Sequence, residues 1–404
     1  MIVLDYFRLK GTKIMKITIK HIILSSACLF FASHLFAFDA HRIDPVDVRS
    51  LSMGGTHIAD TVHFYGLYNN PAAITFTEEQ TLLPAFSTSI SGPLDDIIAI
   101  IPSANSTDFS DSDAIMDEII IPLLDMVGEN GLSIGSQSSG LLTFGHISQM
   151  ENSSFGWGFM DNVFTNSSIE SITSSDIQAG VDTGIELAYA IPLNLHIPGS
   201  FSVGVSARGT YQLETDYTGT PADFSSNIEN LPVYQTLGMG IDAGIQYVVN
   251  IFSSAIVVKD IYSPVYTTEY ENFSDFTSQN GTTLDPETLD TQIAIGIGID
   301  VPIKESTKNI VSALRFYADY NDLMPLFTDT LSRNPILECS IGTEIELIDV
   351  ITLRAGISEN YLSTGLAFTI GSFQTNLAVY GTELGLEPGS NPQLNAALSM
   401  LITY

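Results

Sequence analysis

Few residues of the chain are both typed and spaced for covalent chemistry. There is no His-Glu-x-x-His zinc motif and no P-loop. One Gly-x-Ser-x-Gly match occurs, Gly131-Leu132-Ser133-Ile134-Gly135. A nucleophile elbow needs a strand before its serine and a helix after it. Here a helical pattern precedes Ser133 and an alternating one follows, so the motif reads as a Gly-rich turn. The histidines beyond residue 37 are His41, His57, His63, His146 and His196, and no spacing among them builds a triad. Asp108, Asp111, Asp113, Asp117 and Glu118 could offer oxygen ligands to Ca²⁺. Their spacing matches no EF-hand loop, and they read as solvated surface. The expectation is a protein that is not an enzyme and has no cofactor or resident metal.

A second set of charged residues recurs inside apolar runs: Glu186, Arg208, Asp242, Asp300, Arg315, Asp319, Glu338, Glu344, Glu346 and Arg354. What positions them is a period of two. Leu237, Met239, Ile241, Ala243, Ile245 and Tyr247 alternate with Gly238, Gly240, Asp242, Gly244 and Gln246, giving one clean apolar face. Phe201 to Leu213 repeats the pattern with Arg208 on the polar face. Ile293 to Val301 places Gly296, Gly298 and Asp300 there. Leu337, Cys339, Ile341, Ile345 and Leu347 turn away from Glu338, Ser340, Gly342, Glu344 and Glu346.

Composition says which solvent the apolar face meets. The 404 residues include 46 Asp and Glu against 14 Lys and Arg, a formal net charge of −32. That excludes a nucleic-acid binder, which needs clustered cations to neutralise phosphate. Twenty-two Phe and 16 Tyr exclude an acidic disordered chain. Charged residues make up only 15% and apolar ones 45%, with 31 Gly, which argues for strands and against helices. Met15 opens a better start than Met1: Lys16 and Lys20 precede an apolar stretch over 22–36, and Ala37 is a small residue at a cleavage point. Residues 1–37 therefore read as a signal peptide. Cys28 lies in a loose lipobox, but apolar residues continue past it and argue against lipidation. Cys339 alone remains beyond residue 37, so there is no disulfide framework. No later segment offers the ~20 unbroken apolar residues of a spanning helix.

About fourteen alternating runs can be counted: near 80–92, 137–148, 154–164, 176–191, 199–216, 234–249, 254–262, 289–303, 309–320, 336–347, 351–358, 361–370, 374–382 and 392–404. Every second gap is short: 149–153, 192–198, 250–253, 304–308, 348–350 and 371–373. The others are mostly longer and polar, with 359–360 the exception. This parity puts short turns at one rim and long loops at the other, as in an outer-membrane β-barrel with an even strand number. The fold class expected is all-β, a transmembrane antiparallel barrel of residues 80–404 with the charges above in its lumen. The last run ends on Tyr404, an aromatic terminus of the kind barrel-assembly machinery reads. The gap 93–136 reads as a helical extracellular loop in which Leu94, Ile97, Ile98, Ile101, Ile115, Ile119, Leu123 and Val127 recur at near-helical spacing. Those apolar faces either cover one another or form a groove that captures an amphiphile.

Residues 38–79 do not alternate. A glycine pair, Gly54-Gly55, an amphipathic stretch and Asn70-Pro71-Ala72 indicate tight turns and one or two short helices. A fourteen-strand barrel is wide enough to leak unless something fills it. The stretch from Arg49-Ser-Leu-Ser-Met-Gly-Gly55 through Tyr68-Asn-Asn-Pro-Ala-Ala73 resembles the N-terminal hatch of FadL-type outer-membrane transporters. Ala255 to Pro264, Leu353 to Ile357 and Tyr380 to Gly385 are similar to the wider superfamily, which includes PorV-like proteins. The resemblance implies a hatch over 38–79, gated by Gly54, Gly55, Asn70, Pro71 and Ala72. It also implies passive uptake of a long-chain fatty acid or another hydrophobic ligand by a monomer surrounded by outer-membrane lipid. A PorV-like secretion partner, an adhesin and a cation-selective porin are the alternatives.

Overall fold

The computed structural model describes residues 41–83, 85–92, 94, 132–139, 143–171, 174–220, 230–327 and 333–404. The signal peptide expected over 1–37 lies outside them. So do Ile97, Ile98, Ile101, Ile115, Ile119, Leu123 and Val127 and the acidic cluster Asp108 to Glu118.

Fourteen antiparallel strands form one closed ring. β1 is Gln80–Leu82 continued by Phe86–Gly92, and β2 is Leu132–Ser139 continued by Phe144–Met150. Then follow β3 (Ser153–Ser171), β4 (Ser174–Leu193), β5 (Ser200–Gly219) and β6 (Val233–Val249). β7 is Phe252–Tyr262 continued by Pro264–Tyr270, and β8 is Gln292–Asp300. The last six are β9 (Val311–Tyr320), β10 (Cys339–Leu347), β11 (Ile351–Ser358), β12 (Tyr361–Ile370), β13 (Phe373–Glu383) and β14 (Pro392–Ile402). β14 pairs with β1 from Leu394↔Gly92 to Met400↔Phe86, which closes the sheet. Tyr404 continues that seam by donating its N–H to the Thr81 carbonyl at 3.0 Å. Closure leaves no unpaired strand edge, the condition hydrocarbon imposes.

Alternation assigns the two faces as expected. On β4, Val181, Ile185, Leu187 and Tyr189 are exposed outward, while Asp182, Glu186, Ala188 and Ala190 are buried inward. On β6, Leu237, Met239, Ile241 and Ile245 point out, and Asp242 and Gln246 are buried. A charge on the outer face would cost about 2–4 kcal/mol at mid-bilayer, so the segregation is what a lipid-facing wall requires. Among the described residues no helix is long and apolar enough to cross a membrane.

Several expectations need correction. The expected loops at 165–175, 217–233 and 263–288 are partly strand: β3, β4 and β5 span 19, 20 and 20 residues, twice the ~9–11 a tilted crossing needs. They project past the apolar layer, where both faces are polar and no period of two can be read. The 263–288 stretch also holds a short helix, Phe273–Ser278. Ser133 lies on β2 opposite Ser168 and not in a turn. Leu337 does not share the outward face of Ile341. It belongs to a 3-10 turn, Pro335–Glu338, capped by Asn334, and is buried. Glu338 in that turn pairs with Arg333 at 3.6 Å and not with the lumen charges. The short connection at 359–360 is a two-residue hairpin with φ of 52° and 73°, the left-handed pair of a type I′ turn.

Candidate functional site

Residues 41–79 lie inside the ring. Their elements are short: α1 (Val48–Ser52), α2 (Gly66–Asn69) and a 3-10 turn, Ala73–Thr75. The Asp47 side chain caps α1 by accepting from the Arg49 and Ser50 N–H groups. Gly54 and Gly55 end it: Gly55 N–H donates to the Ser50 carbonyl at 2.8 Å and Gly54 N–H to Leu51 at 3.3 Å. This is the Schellman pattern, and it needs a left-handed residue after the cap. Gly54 has φ +69°, and a Cβ there would stand 2.8 Å from the Ile357 carbonyl oxygen of β11. Gly54 is thus fixed twice, by backbone conformation and by the closeness of the wall.

Asn70 is fully buried and uses both ends of its amide. Its Oδ1 accepts from Ala72 N–H at 3.0 Å, and its Nδ2 donates to the Ile58 carbonyl at 3.2 Å and to Gln246 Oε1 of β6 at 2.7 Å. The oxygen shapes the turn at Pro71 that starts the 3-10 element. Ser202 of β5 donates to the Ala72 carbonyl at 2.8 Å. Gly204 and Gly244 on the same two strands leave room for Pro71 and Asn70, which a Cβ at either position would overlap.

The inner segment touches every strand of the wall. Gln80 of β1 and Gln149 of β2 donate to the carbonyls of Val62 and Ile74 at 3.0 and 2.7 Å. Asn162 of β3 donates to the Asp44 carbonyl at 3.1 Å. His41 faces Asp182 of β4 at 3.5 Å. Ile58 and Ala59 pack on Ala255 and Val257 of β7 and Ala294 of β8. Asp319 of β9 accepts from the His57 and Ile58 N–H groups at 2.6 and 2.9 Å. A Cβ on Gly365 of β12 would overlap Ser52. Val46 and Val48 pack on Ala378 of β13 and Ala397 of β14.

Two buried ion clusters hold it on opposite sides. In the first, Arg42 reaches Asp242 of β6 at 2.8 Å and Asp260 of β7 at 3.1 Å. Arg208 of β5 meets the same aspartates at 3.6 and 2.6 Å. Asp260 adopts φ +55°, unusual for a non-glycine, and its N–H donates to Asp242 Oδ1 at 2.7 Å. In the second, Glu344 of β10 accepts from Arg49 at 2.9 and 3.1 Å, from Arg354 at 2.7 Å and from Arg315 at 2.8 Å. Arg49 also meets Asp60 at 2.7 Å. Burial alone would raise the Asp60 carboxyl, but the Arg49 guanidinium holds it well below the usual range. Burial pushes His57 down to about 4, so the ring is neutral, with Nδ1 toward the Gly55 carbonyl.

Of the expected lumen charges, Arg208, Asp242, Arg315, Glu344 and Arg354 meet in these clusters. Glu186 is buried opposite Arg208. Asp300 is an exposed partner of Arg315 at 3.5 Å, and Glu346 stands 4.0 Å from the same arginine. Of the expected capture groove only Leu94 is described, just past β1. The sequence reading missed Arg42, Arg49, Asp60, Lys259 and Asp260. Their available signal was scarcity: two of only 14 basic residues sit in a 41–49 stretch with no alternation.

Two hollows border the segment. One of about 530 Å³ is lined by His41, Asp44, Asn162, Phe164, Gln178 and Asp182, among others. The other, about 280 Å³, is lined by Val46, Leu51, His57, Tyr380 and Lys259, among others. Lys259 is only 8% exposed.

An antiparallel barrel filled by its own N-terminal segment is the class defined so far. No protein-family model and no curated protein matches the chain. Among solved structures it is similar to the toluene transporter TodX of P. putida, at 12% identity over 90% of this chain and 99% of that one, TM-score 0.46. It is similar also to the toluene transporter TbuX of Ralstonia pickettii, at 12% identity over 89% and 99%, TM-score 0.48. A third is the CymD monoaromatic hydrocarbon channel, at 13% identity over 89% and 97%, TM-score 0.46. At such identities the likeness concerns the course of the chain, and no residue role is carried across.

Proposed function

We propose that this protein is an outer-membrane transporter that admits hydrophobic compounds, long-chain fatty acids among them, through a barrel gated by its own residues 41–79. The observation that carries this reading is the contact of that segment with all fourteen strands. A general porin needs an open aqueous lumen, whereas a segment tied to every strand favours a closed one. Passage then requires a local rearrangement, for which Gly54, Gly55 and the Asn70-Pro71-Ala72 turn are the hinge-like positions. In this reading flux follows the gradient. A single chain in outer-membrane lipid, placed there by barrel-assembly machinery, is the working unit.

The finer reading concerns the ligand's head. Lys259 lines the smaller hollow with Val46, Leu51 and Tyr380, and with Asp44 and Asp47. A buried cation beside apolar side chains suits the carboxylate of a fatty acid, with the acyl chain on the apolar residues.

The test is flux into vesicles carrying the purified protein. A long-chain fatty acid is expected to enter faster than into empty vesicles, with no steady ohmic current in planar bilayers. Lys259→Met should slow the acid and spare toluene. A steady cation current would replace the transporter with a porin, and equal uptake with and without protein would remove transport altogether.

A further inference from the structure

Away from both arginine clusters, the first described residue of the inner segment stands over two carboxylates of the wall. His41 Nε2 lies 3.5 Å from Asp182 Oδ2 of β4, and its Nδ1 lies 3.6 Å from Glu214 Oε1 of β5. One donor atom from each of the three residues falls within 4.8 Å of the others. We propose that His41, Asp182 and Glu214 form a binding site for a divalent transition-metal cation, which pins the start of the inner segment to β4 and β5.

Three observations support it. The separations are too long for hydrogen bonds from an imidazolium, whose N–H···O contacts fall near 2.7–3.2 Å. One ring nitrogen alone can bind an ion, so only one of the two separations is a ligand-to-ligand distance. It matches the roughly 3.3–3.6 Å that bonds of about 2.0–2.2 Å at tetrahedral angles give, and the remaining donor atom lies within 4.8 Å. Second, the wall beneath His41 carries buried oxygens with no donor. Glu214 and Asp182 are each 2% exposed and Gln212 1%. Both oxygens of Glu214, Oδ1 of Asp182 and Oε1 of Gln212 accept no hydrogen bond from the described residues. Buried carboxylate oxygens without donors are costly, and a bound cation would satisfy them. Third, there is an entry path: the His41 side chain is 42% exposed and borders the larger hollow, about 530 Å³ in volume.

The donor set chooses the class of ion. One imidazole with two carboxylates suits Zn²⁺ and its first-row neighbours, whereas Ca²⁺ and Mg²⁺ prefer all-oxygen shells. The site is distinct from the proposed ligand hollow at Lys259, so either reading can fail alone.

The experiment uses the full mature chain in detergent micelles, stripped with a chelator and titrated with Co²⁺, with Zn²⁺ as competitor. One equivalent of Co²⁺ is expected to bind with the visible bands of tetrahedral geometry and to be displaced by Zn²⁺. His41→Ala and Glu214→Gln should each weaken binding at least about tenfold, the lower end of what losing even an outer partner costs. Hydrogen exchange on the unaltered protein is the measurement that needs no variant: Zn²⁺ should slow exchange near residues 41–48. The proposal is overturned by no saturable binding, by unchanged affinity in His41→Ala, by Ca²⁺ competing as well as Zn²⁺, or by exchange that Zn²⁺ leaves unaltered.

Discussion

Arginine anchors the inner segment at two places, and the two anchors differ in how their charges are shared. Around Arg42, two guanidiniums face two buried carboxylates, Asp242 and Asp260, that both arginines share, and the more exposed Asp44 also pairs with Arg42. Around Arg49, Glu344 alone collects three guanidiniums, and Asp60 belongs to Arg49. Contact for contact the two segment arginines are alike, since each holds one wall carboxylate bidentately, Arg49 on Glu344 and Arg42 on Asp242. Buried ion pairs are ranked by what their loss strands, however, and not by what their presence adds. By that measure the wall residue Glu344 matters most, and of the two segment arginines Arg42 matters more.

The largest effect is expected at Glu344→Gln. It leaves Arg49, Arg315 and Arg354 crowded, with Asp60 on Arg49 and only the exposed Asp300 and the more distant Glu346 on Arg315, a loss of about 5 kcal/mol at the upper end for a broken buried pair. Urea or thermal unfolding in micelles would measure it. Hydrogen exchange should speed up in 48–60 before the strands open. A loss under 1 kcal/mol would mean that water already reaches the cluster.

Next come the two arginines, compared under one condition. Arg42→Met leaves Asp242 and Asp260, 3% and 2% exposed at the side chain, with Arg208 as their shared partner. The expected loss is about 3–4 kcal/mol. Arg49→Met leaves Glu344 still paired with Arg315 and Arg354 and strands only Asp60, with His63 3.4 Å away. About 2 kcal/mol is expected there. The reverse order would show that the charge left behind does not set the strength of an anchor.

The same contrast separates what could be read in the sequence from what could not. The wall was legible because lipid on one side and a polar lumen on the other imprint a period of two, so Glu186, Arg208, Asp242, Glu344 and Arg354 fell on the inner face by counting. Above the bilayer the imprint fades, and the extensions of β3, β4 and β5 read as loops. The inner segment has no uniform solvent on either side. Its Gly54-Gly55 and Asn70-Pro71-Ala72 turns were visible as local backbone chemistry. The partners of Arg42 and Arg49, up to 295 positions away, leave no local trace. Asp260 was hidden for another reason: its left-handed bulge is held by tertiary contacts with Arg208, Arg42, Asp242 and Thr291.

The smallest effect distinguishes the neutral part of the segment from its charged anchors. Burial holds the His57 imidazole at about 4 against an ordinary 6.5, with Nδ1 toward the Gly55 carbonyl and Ser50 Oγ 3.4 Å away. Between those values an unseated, hydrated His57 binds the proton that the seated one refuses. The seated state therefore keeps its full stability above pH 6.5 and loses up to about 1.4 kcal/mol per unit as pH falls toward 4. Asp47, whose carboxyl burial pushes up, acts in the opposite sense, and taking the difference from His57→Gln cancels it. Exchange at residues 53–60 followed from pH 7 to 4.5 should show a slope that the variant lacks. The Arg49 anchor should not share that slope, because Asp60 is held below this range and its loss begins only at lower pH. Equal slopes in the two proteins would place His57 in water.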